Sequence, residues 1–167
     1  TNTTTGGNGT GITIRDLKLD GNKANQTSGT MRGVYFDGVG SGTGSSAVQG
    51  GTITNVKANN WRNDGIYLIS SSNNTLTGNT AQGNTNGIYL LSSSNTTPTG
   101  NTAQGNGNSG IFLLSSSSNT TIACNTTQEN SASGIYLNSS SNNTITGNTA
   151  QGNTSTGIYL SSSSNNN

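Results

Sequence analysis

The chain has 167 residues, of which 26% are hydrophobic, 5% aromatic and 7% charged, and its formal net charge is +1. Asn (28), Thr (28), Ser (25) and Gly (25) make up 106 of them, which leaves too little Ala, Leu, Glu, Lys and Arg for a helical bundle and no apolar run near the roughly 20 residues a membrane-spanning helix needs. The six Lys and Arg form no run that would suit nucleic acid. The regular spacing of the few apolar residues, with almost no net charge, separates the chain from disordered sequences.

The chain opens on Thr1-Asn2-Thr3 and closes on Asn165-Asn166-Asn167, so either a removed leader or a larger parent chain is expected. Residues 1–64 read as degenerate coils, with copies of a later motif starting near Ile12 and Thr52. Between these lie Gly33-Val34-Tyr35-Phe36 and a Gly- and Ser-rich stretch, 38–51, expected to be an inserted loop. From residue 65 to 167 the sequence is regular. Gly-Ile-aromatic-Leu begins at Gly65, Gly87, Gly110, Gly134 and Gly157, in steps of 22, 23, 24 and 23. Between the copies runs Asn73-Asn74-Thr75-Leu76-Thr77-Gly78-Asn79-Thr80-Ala81-Gln82-Gly83-Asn84, with relatives starting at Asn95, Asn119 and Asn142. The unit reads as a strand, a polar turn, a second short strand and a further turn.

On a strand of period two, Ile66 and Leu68 face one side and Tyr67 the other. A unit with three or four inward apolar side chains cannot bury a core alone; stacked units can. Helical repeats fail on composition, and leucine-rich repeats fail because Leu-x-x-Leu-x-Leu is absent. The fold expected is all-β: a parallel β-helix of about six coils of 22–24 residues, forming a rod section on the order of 30 Å long. The Gly-Ile-Tyr-Leu and Asn-Asn-Thr-Ile-Thr-Gly-Asn motifs resemble the repeats of NosD-like proteins in the wider pectin-lyase-like superfamily, which are common in archaeal and bacterial surface proteins, and the resemblance implies a single-stranded, right-handed parallel β-helix. That resemblance covers nearly the whole chain. It implies the fold but leaves lyases, hydrolases, adhesins and structural rods all open.

Alignment of the units makes columns of identical residues. Asn84, Asn106, Asn130 and Asn153 form one, and Asn79, Asn101, Asn125 and Asn148 another, with Leu17 and Val56 at the latter position in the degenerate coils. Both Asn columns are expected to be hydrogen-bonded ladders at bends. A third column, Asn73, Asn95, Asn119 and Asn142, consists of N-x-[ST] sequons and is the candidate for glycosylation. Six more sequons start at Asn2, Asn8, Asn25, Asn125, Asn138 and Asn153.

Tyr35, Tyr67, Tyr89, Phe112, Tyr136 and Tyr159 form an outward stripe. Such a stripe can stack on surface glycans, contact a neighbouring rod, or stack on itself across coils. The pairs Thr52/Thr54, Thr75/Thr77, Thr97/Thr99 and Thr144/Thr146, interrupted at Ala123, resemble the Thr-x-Thr faces of β-helical ice-binding proteins, although exposed strands favour Thr in any case. Pro98 stands where Ile or Leu is expected and removes a ladder donor. The lone Cys124 excludes an intrachain disulfide and is expected to be a buried thiol.

Catalytic residues are scarce. Without His, neither a Ser-His-Asp arrangement nor a His-ligated metal is available. Residues 1–64 hold six cationic side chains and four acidic ones (Asp16, Asp20, Asp37 and Asp64), whereas 65–167 hold only Glu129. Asn63-Asp64-Gly65-Ile66 resembles a polygalacturonase segment with a catalytic Asp, but that family's second carboxylate and its other motifs are missing. Asp64 therefore reads as a turn residue before a strand. Asp20, Asp37 and Asp64 each precede a Gly; turn formation is their expected role, with a weak Ca²⁺ site among them as the alternative. No catalytic residue, metal site or cofactor is assigned. The expected function is a non-enzymatic, self-associating extracellular or cell-surface rod, joined head-to-tail. The alternative is a polysaccharide-binding or polysaccharide-cleaving module.

Overall fold

The structure, a computed structural model, describes residues 11–38 and 48–167. Most of the expected inserted loop (residues 39–47), together with Asn2 and Asn8, therefore lies outside the described residues. The chain winds as a right-handed parallel β-helix whose strands form three sheets of six. The first sheet is built from Thr13–Arg15, Thr52–Thr54, Thr75–Thr77, Thr97–Thr99, Thr121–Ala123 and Thr144–Thr146. The second contains Lys18–Asp20, Lys57–Asn59, Thr80–Gln82, Thr102–Gln104, Thr126–Gln128 and Thr149–Gln151. The third contains Val34–Asp37, Asp64–Ile69, Asn86–Leu91, Ile111–Leu114, Ile135–Asn138 and Ile158–Ser161. A 3-10 turn at Lys23–Asn25 is the one helical element among the described residues.

Each coil therefore has three strands, one more than the sequence pattern suggests. The unforeseen strand, Thr-Ala-Gln, carries a single apolar residue and gives almost no periodic signal. It is a strand because the coils above and below hold it in register, as in Thr80↔Thr102 and Gln82↔Gln104.

Inward positions stack as expected. Ile66, Leu68, Leu76, Ile88, Leu90, Ile111, Leu113, Ile122, Ile135 and Leu137 are all fully buried, each worth roughly 1.5–3 kcal/mol. Ala58, Ala81 and Ala103 fill the narrower space under the second sheet. The Gly that opens each Gly-Ile-Tyr-Leu sits where backbones nearly touch: a Cβ on Gly65 would lie 2.6 Å from the Asn84 amide nitrogen and 2.8 Å from the Gly87 carbonyl oxygen. At the first coil the core opens into a cavity of about 410 Å³ lined by Ile12, Ile14, Leu17, Leu19, Val34, Phe36 and Trp61, among others.

The corners explain the Asn columns. Between the first and second sheets only two residues turn the chain. The first has left-handed backbone (Asp16, Asn55, Gly78, Gly100, Cys124, Gly147), a region open to Gly and tolerated by Asn and Asp. The second points inward, and from the third coil onward it is Asn79, Asn101, Asn125 and Asn148. Cys124, expected to be buried, is exposed, because it occupies the outward left-handed position where neighbouring coils have Gly. Pro98 keeps three register pairs with Thr75–Thr77, whereas its strand pairs with the next coil only at Thr99↔Ala123. The missing donor is felt on that side.

Candidate functional site

The ladders account for most of the buried polar side chains. The Asn101 side-chain nitrogen donates to the Leu76 carbonyl (2.9 Å) and to Asn125 Oδ1 (3.0 Å). Its own Oδ1 accepts the backbone N–H and the side-chain amide of Asn79, both at 2.9 Å. Two donors and two lone pairs are thus all used inside a dry corner. Asn130 does the same in the other column, where Asn106 differs only in that its Oδ1 accepts the Asn84 backbone N–H alone.

A further ladder is not marked by the sequence pattern. Ser71, Ser93, Ser117 and Ser140 are fully buried, and the Ser71 and Ser93 backbone N–H groups each donate to the next coil's hydroxyl at 3.0 Å. Beside them, the buried members of the Asn73 corner are its followers: Asn74, Thr96, Thr120 and Asn143. Asn73, Asn95, Asn119 and Asn142 themselves are exposed and left-handed. By contrast, the sequon at Asn125 is spent on a buried ladder rung.

On the third sheet, Tyr35, Tyr67, Tyr89, Phe112, Tyr136 and Tyr159 stack with centroid spacings of 4.8–5.4 Å and interplanar angles of 5–30°. The ring faces are turned to one another along the axis. Outward they present edges and hydroxyls. Beside them runs a second outward column, Ile69, Leu91 and Leu114, half-buried and continued by Asn138. Burial pushes the Tyr35 phenol up to about 12, helped by its hydrogen bond to Asp37 at 2.7 Å. Burial likewise raises Tyr89 to about 12, and it raises Tyr67.

Titratable groups converge at one place on this face. The Arg32 guanidinium lies 4.1 Å from the Tyr67 ring centroid and 4.8 Å from that of Tyr35, a cation–π arrangement. Its Nε is 3.1 Å from Asp64 Oδ2. Asp64 is only 5% exposed and opens a strand of the third sheet, so it is not a turn residue. It is the acceptor end of an outer amide ladder: Asn86 donates to Asp64 Oδ1 and Asn108 donates to Asn86 Oδ1, both at 2.9 Å. The first rung of such a ladder needs only acceptors, which a carboxylate supplies, and Arg32 from the preceding coil balances its charge. Nothing in the sequence pattern singled out Arg32.

The other acids have similar duties. Asp16 accepts from Asn55 (2.8 Å) and Glu129 from Gln104 (2.9 Å). Asp20 accepts the Asn22 backbone N–H and the Asn60 amide, which hold its carboxyl below the usual range. Asp20 ends a strand of the second sheet, whereas Asp37 and Asp64 lie on the third. Among the described residues, no group of three His, Cys, Asp or Glu side chains is placed to hold a metal ion. Thr13, Thr52, Thr75 and Thr97 line one outward column of the first sheet, with Thr54, Thr77 and Thr99 in the adjacent one.

The whole chain, residues 1–167, matches the family described as "Periplasmic copper-binding protein (NosD)". The chain belongs to the NosD family. No individually curated protein matches it significantly. Among solved structures it is similar to the A-module of the Azotobacter vinelandii mannuronan C-5 epimerase AlgE4 (24% identity, TM-score 0.70, covering 94% of this chain and 50% of that one). It is also similar to the periplasmic alginate epimerase AlgG (19% identity, TM-score 0.64, covering 92% of this chain and 40% of that one). The chain thus spans half or less of these proteins, and the likeness is one of fold. The family's periplasmic description agrees with a place outside the cytoplasm, and no helix among the described residues is long and apolar enough to cross a membrane. Its copper description finds no matching donor set here: there is no His, and the single Cys and single Met stand in different coils.

Proposed function

We propose that this NosD-family chain is a non-enzymatic, extracytoplasmic structural β-solenoid, a stiff segment of a surface protein, sheath, adhesin or fibre. The observation that carries this reading is the condition of Asp64. It is the one buried carboxylate among the described residues, and it is occupied by Asn86 on one oxygen and Arg32 on the other. Hydrolysis needs a second carboxylate across the scissile bond, and each of the other acids named above already accepts a hydrogen bond. The self-stacked rings further support a structural stripe, since their faces are taken up by one another.

Self-association fits the same reading. In a head-to-tail joint Tyr159 meets Tyr35 and extends the ring stack, but the Asn148 column meets Leu17. The joint is therefore weaker than one between internal coils, and assembly is concentration-dependent. Where the source attaches N-linked glycans, Asn73, Asn95, Asn119 and Asn142 are the exposed acceptors; neighbouring coils lie only ~4.8 Å apart, so glycans on adjacent coils would crowd each other.

A polysaccharide-acting module is the second reading. It is favoured by Arg32, Asp64, Tyr35 and Tyr67 meeting on one face and by a fold shared with proteins named as mannuronan and alginate epimerases. The test is incubation with alginate, pectate and a glycan array. Uronate inversion, unsaturated products or tight binding, lost on Asp64→Asn, would replace the structural reading. No turnover, together with an Asp64→Asn chain that folds and assembles normally, is the expected result.

A further inference from the structure

We infer that this solenoid is a metal-independent member of its family: its coils hold no copper site, and amide ladders do the organising that a bound metal does in small metalloproteins. Copper is held in proteins by imidazole, thiolate and thioether donors that converge on one point. The 167 residues contain no His, one Cys and one Met. Cys124 is the left-handed corner residue of the fifth coil. Met31 lies just before the third-sheet strand of the first coil, its backbone N–H bonded to Asn63. Four coil steps separate them, roughly 19 Å at ~4.8 Å per step, so one ion cannot reach both sulfurs. The carboxylates are no substitute, because among the described residues no three His, Cys, Asp or Glu side chains come together.

The ladders also show where a metal could be added. Most inward positions are packed apolar or, as at Asn101, have every donor and acceptor engaged, so a ligand there breaks the stack. Outward columns are free of that constraint. Gln82 and Gln104 are register partners on the second sheet, as are Thr80 and Thr102, and in-register side chains on adjacent strands stand ~5 Å apart, close enough for two imidazoles to share an ion. What the chain lacks is the donor set; the scaffold itself can carry one.

The test counts copper per chain after equilibration with Cu(II), and with Cu(I) under reductant, each against a competing chelator, alongside thermal melts. The unaltered chain is expected to keep well below one copper, and its melting midpoint is expected to stay the same in excess chelator. Gln82→His with Gln104→His, and separately Thr80→His with Thr102→His, serve as gain-of-site variants. At least one pair is expected to retain about one Cu(II) and to melt higher, since a ligand bound to the folded state stabilises it. Copper taken up by the unaltered chain only through Cys124, and surrendered to the chelator, upholds the inference. One chelator-resistant copper on the unaltered chain or on Cys124→Ser overturns it, as does chelator-induced unfolding. If both folded His pairs fail to bind, the claim that only donors are missing is wrong.

Discussion

The first two coils and the four that follow run along the same path but are held differently. In the second coil, Val56 and Trp61 stand where the third has Asn79 and Asn84. Their backbone N–H groups donate to those Asn side chains, at 3.0 and 2.8 Å. The amide ladders thus begin at the third coil and run to the end, and before them Leu17, Val56 and Trp61 stand at three of the corner positions. Every charged side chain but Glu129 lies in residues 1–64, as does the 3-10 turn Lys23–Asn25. The contrast teaches that a coil can be closed by packing or by saturated amides, and that the two join wherever the last apolar corner offers a backbone donor. The third-sheet ladder starts at Asp64 for the same reason, because its first rung has only to accept.

The largest expected effect is a break in mid-ladder. Asn101→Leu orphans the Asn79 backbone N–H and takes one partner each from the Asn79 amide, which keeps the Ile53 carbonyl, and from the Leu76 carbonyl. At roughly 1–3 kcal/mol for the orphaned donor and about 1 kcal/mol for each of the two other lost bonds, the loss is about 3–5 kcal/mol, read as a lower midpoint in urea. Val56→Asn, one column member earlier, is expected to shift stability by no more than about 1 kcal/mol. Equal losses at the two positions would erase the distinction between the regions.

Next comes the ring stack. Phe112→Ala removes two stacked neighbours, each worth about 0.5–1.5 kcal/mol beyond area, and is expected to cost about 2 kcal/mol or more. Tyr35→Ala, at the 37% exposed end, should cost about half as much in the same unfolding measurement. A smaller effect, of opposite sign, belongs to Pro98→Ile. It restores a strand donor, is expected to gain about 1 kcal/mol, and should slow amide exchange between the fourth and fifth coils.

The smallest effect near neutral pH comes from the phenols. Tyr35 and Tyr89 are raised to about 12 when folded, against about 10 unfolded. Below about 10 both states hold these protons and the contribution is complete. Between about 10 and 12 the unfolded chain releases protons that the folded chain keeps, so stability falls as pH rises. Melting midpoints should therefore decline across that window, and absorbance titration should show late phenolate formation in the folded protein. A midpoint that stays level above pH about 10 would show that burial in the stack is weaker than the ring spacings imply.

Much of this was legible in the amino acids. A period of 22–24 residues with Ile-aromatic-Leu alternation allows few folds, and the Asn79 and Asn84 columns could be read as ladders because Asn carries a two-way amide, although the left-handed backbone of those corners falls on the residue before each Asn. The third strand was not legible, since Thr-Ala-Gln has one small apolar residue and owes its extension to its neighbours. Nor was the buried Ser71 column, because Ser in a Ser-rich turn looks like solvent-facing chain until stacking dries the corner. Cys124 misled for a related reason. Residue type suggests burial for a thiol, but at that corner the backbone sign decides, and the left-handed residue points outward.

The sequence by itself determined the repeat length, the all-β parallel solenoid and the confinement of charge to its opening third, because these follow from periodicity and composition alone. Only the tertiary structure decided which polar residues lie inside, that the aromatic rings spend their faces on one another, and that Asp64 ends a ladder against Arg32. Those outcomes depend on side chains 22 to 32 residues apart being brought to within hydrogen-bonding or stacking distance, and no local pattern encodes which atom then meets which.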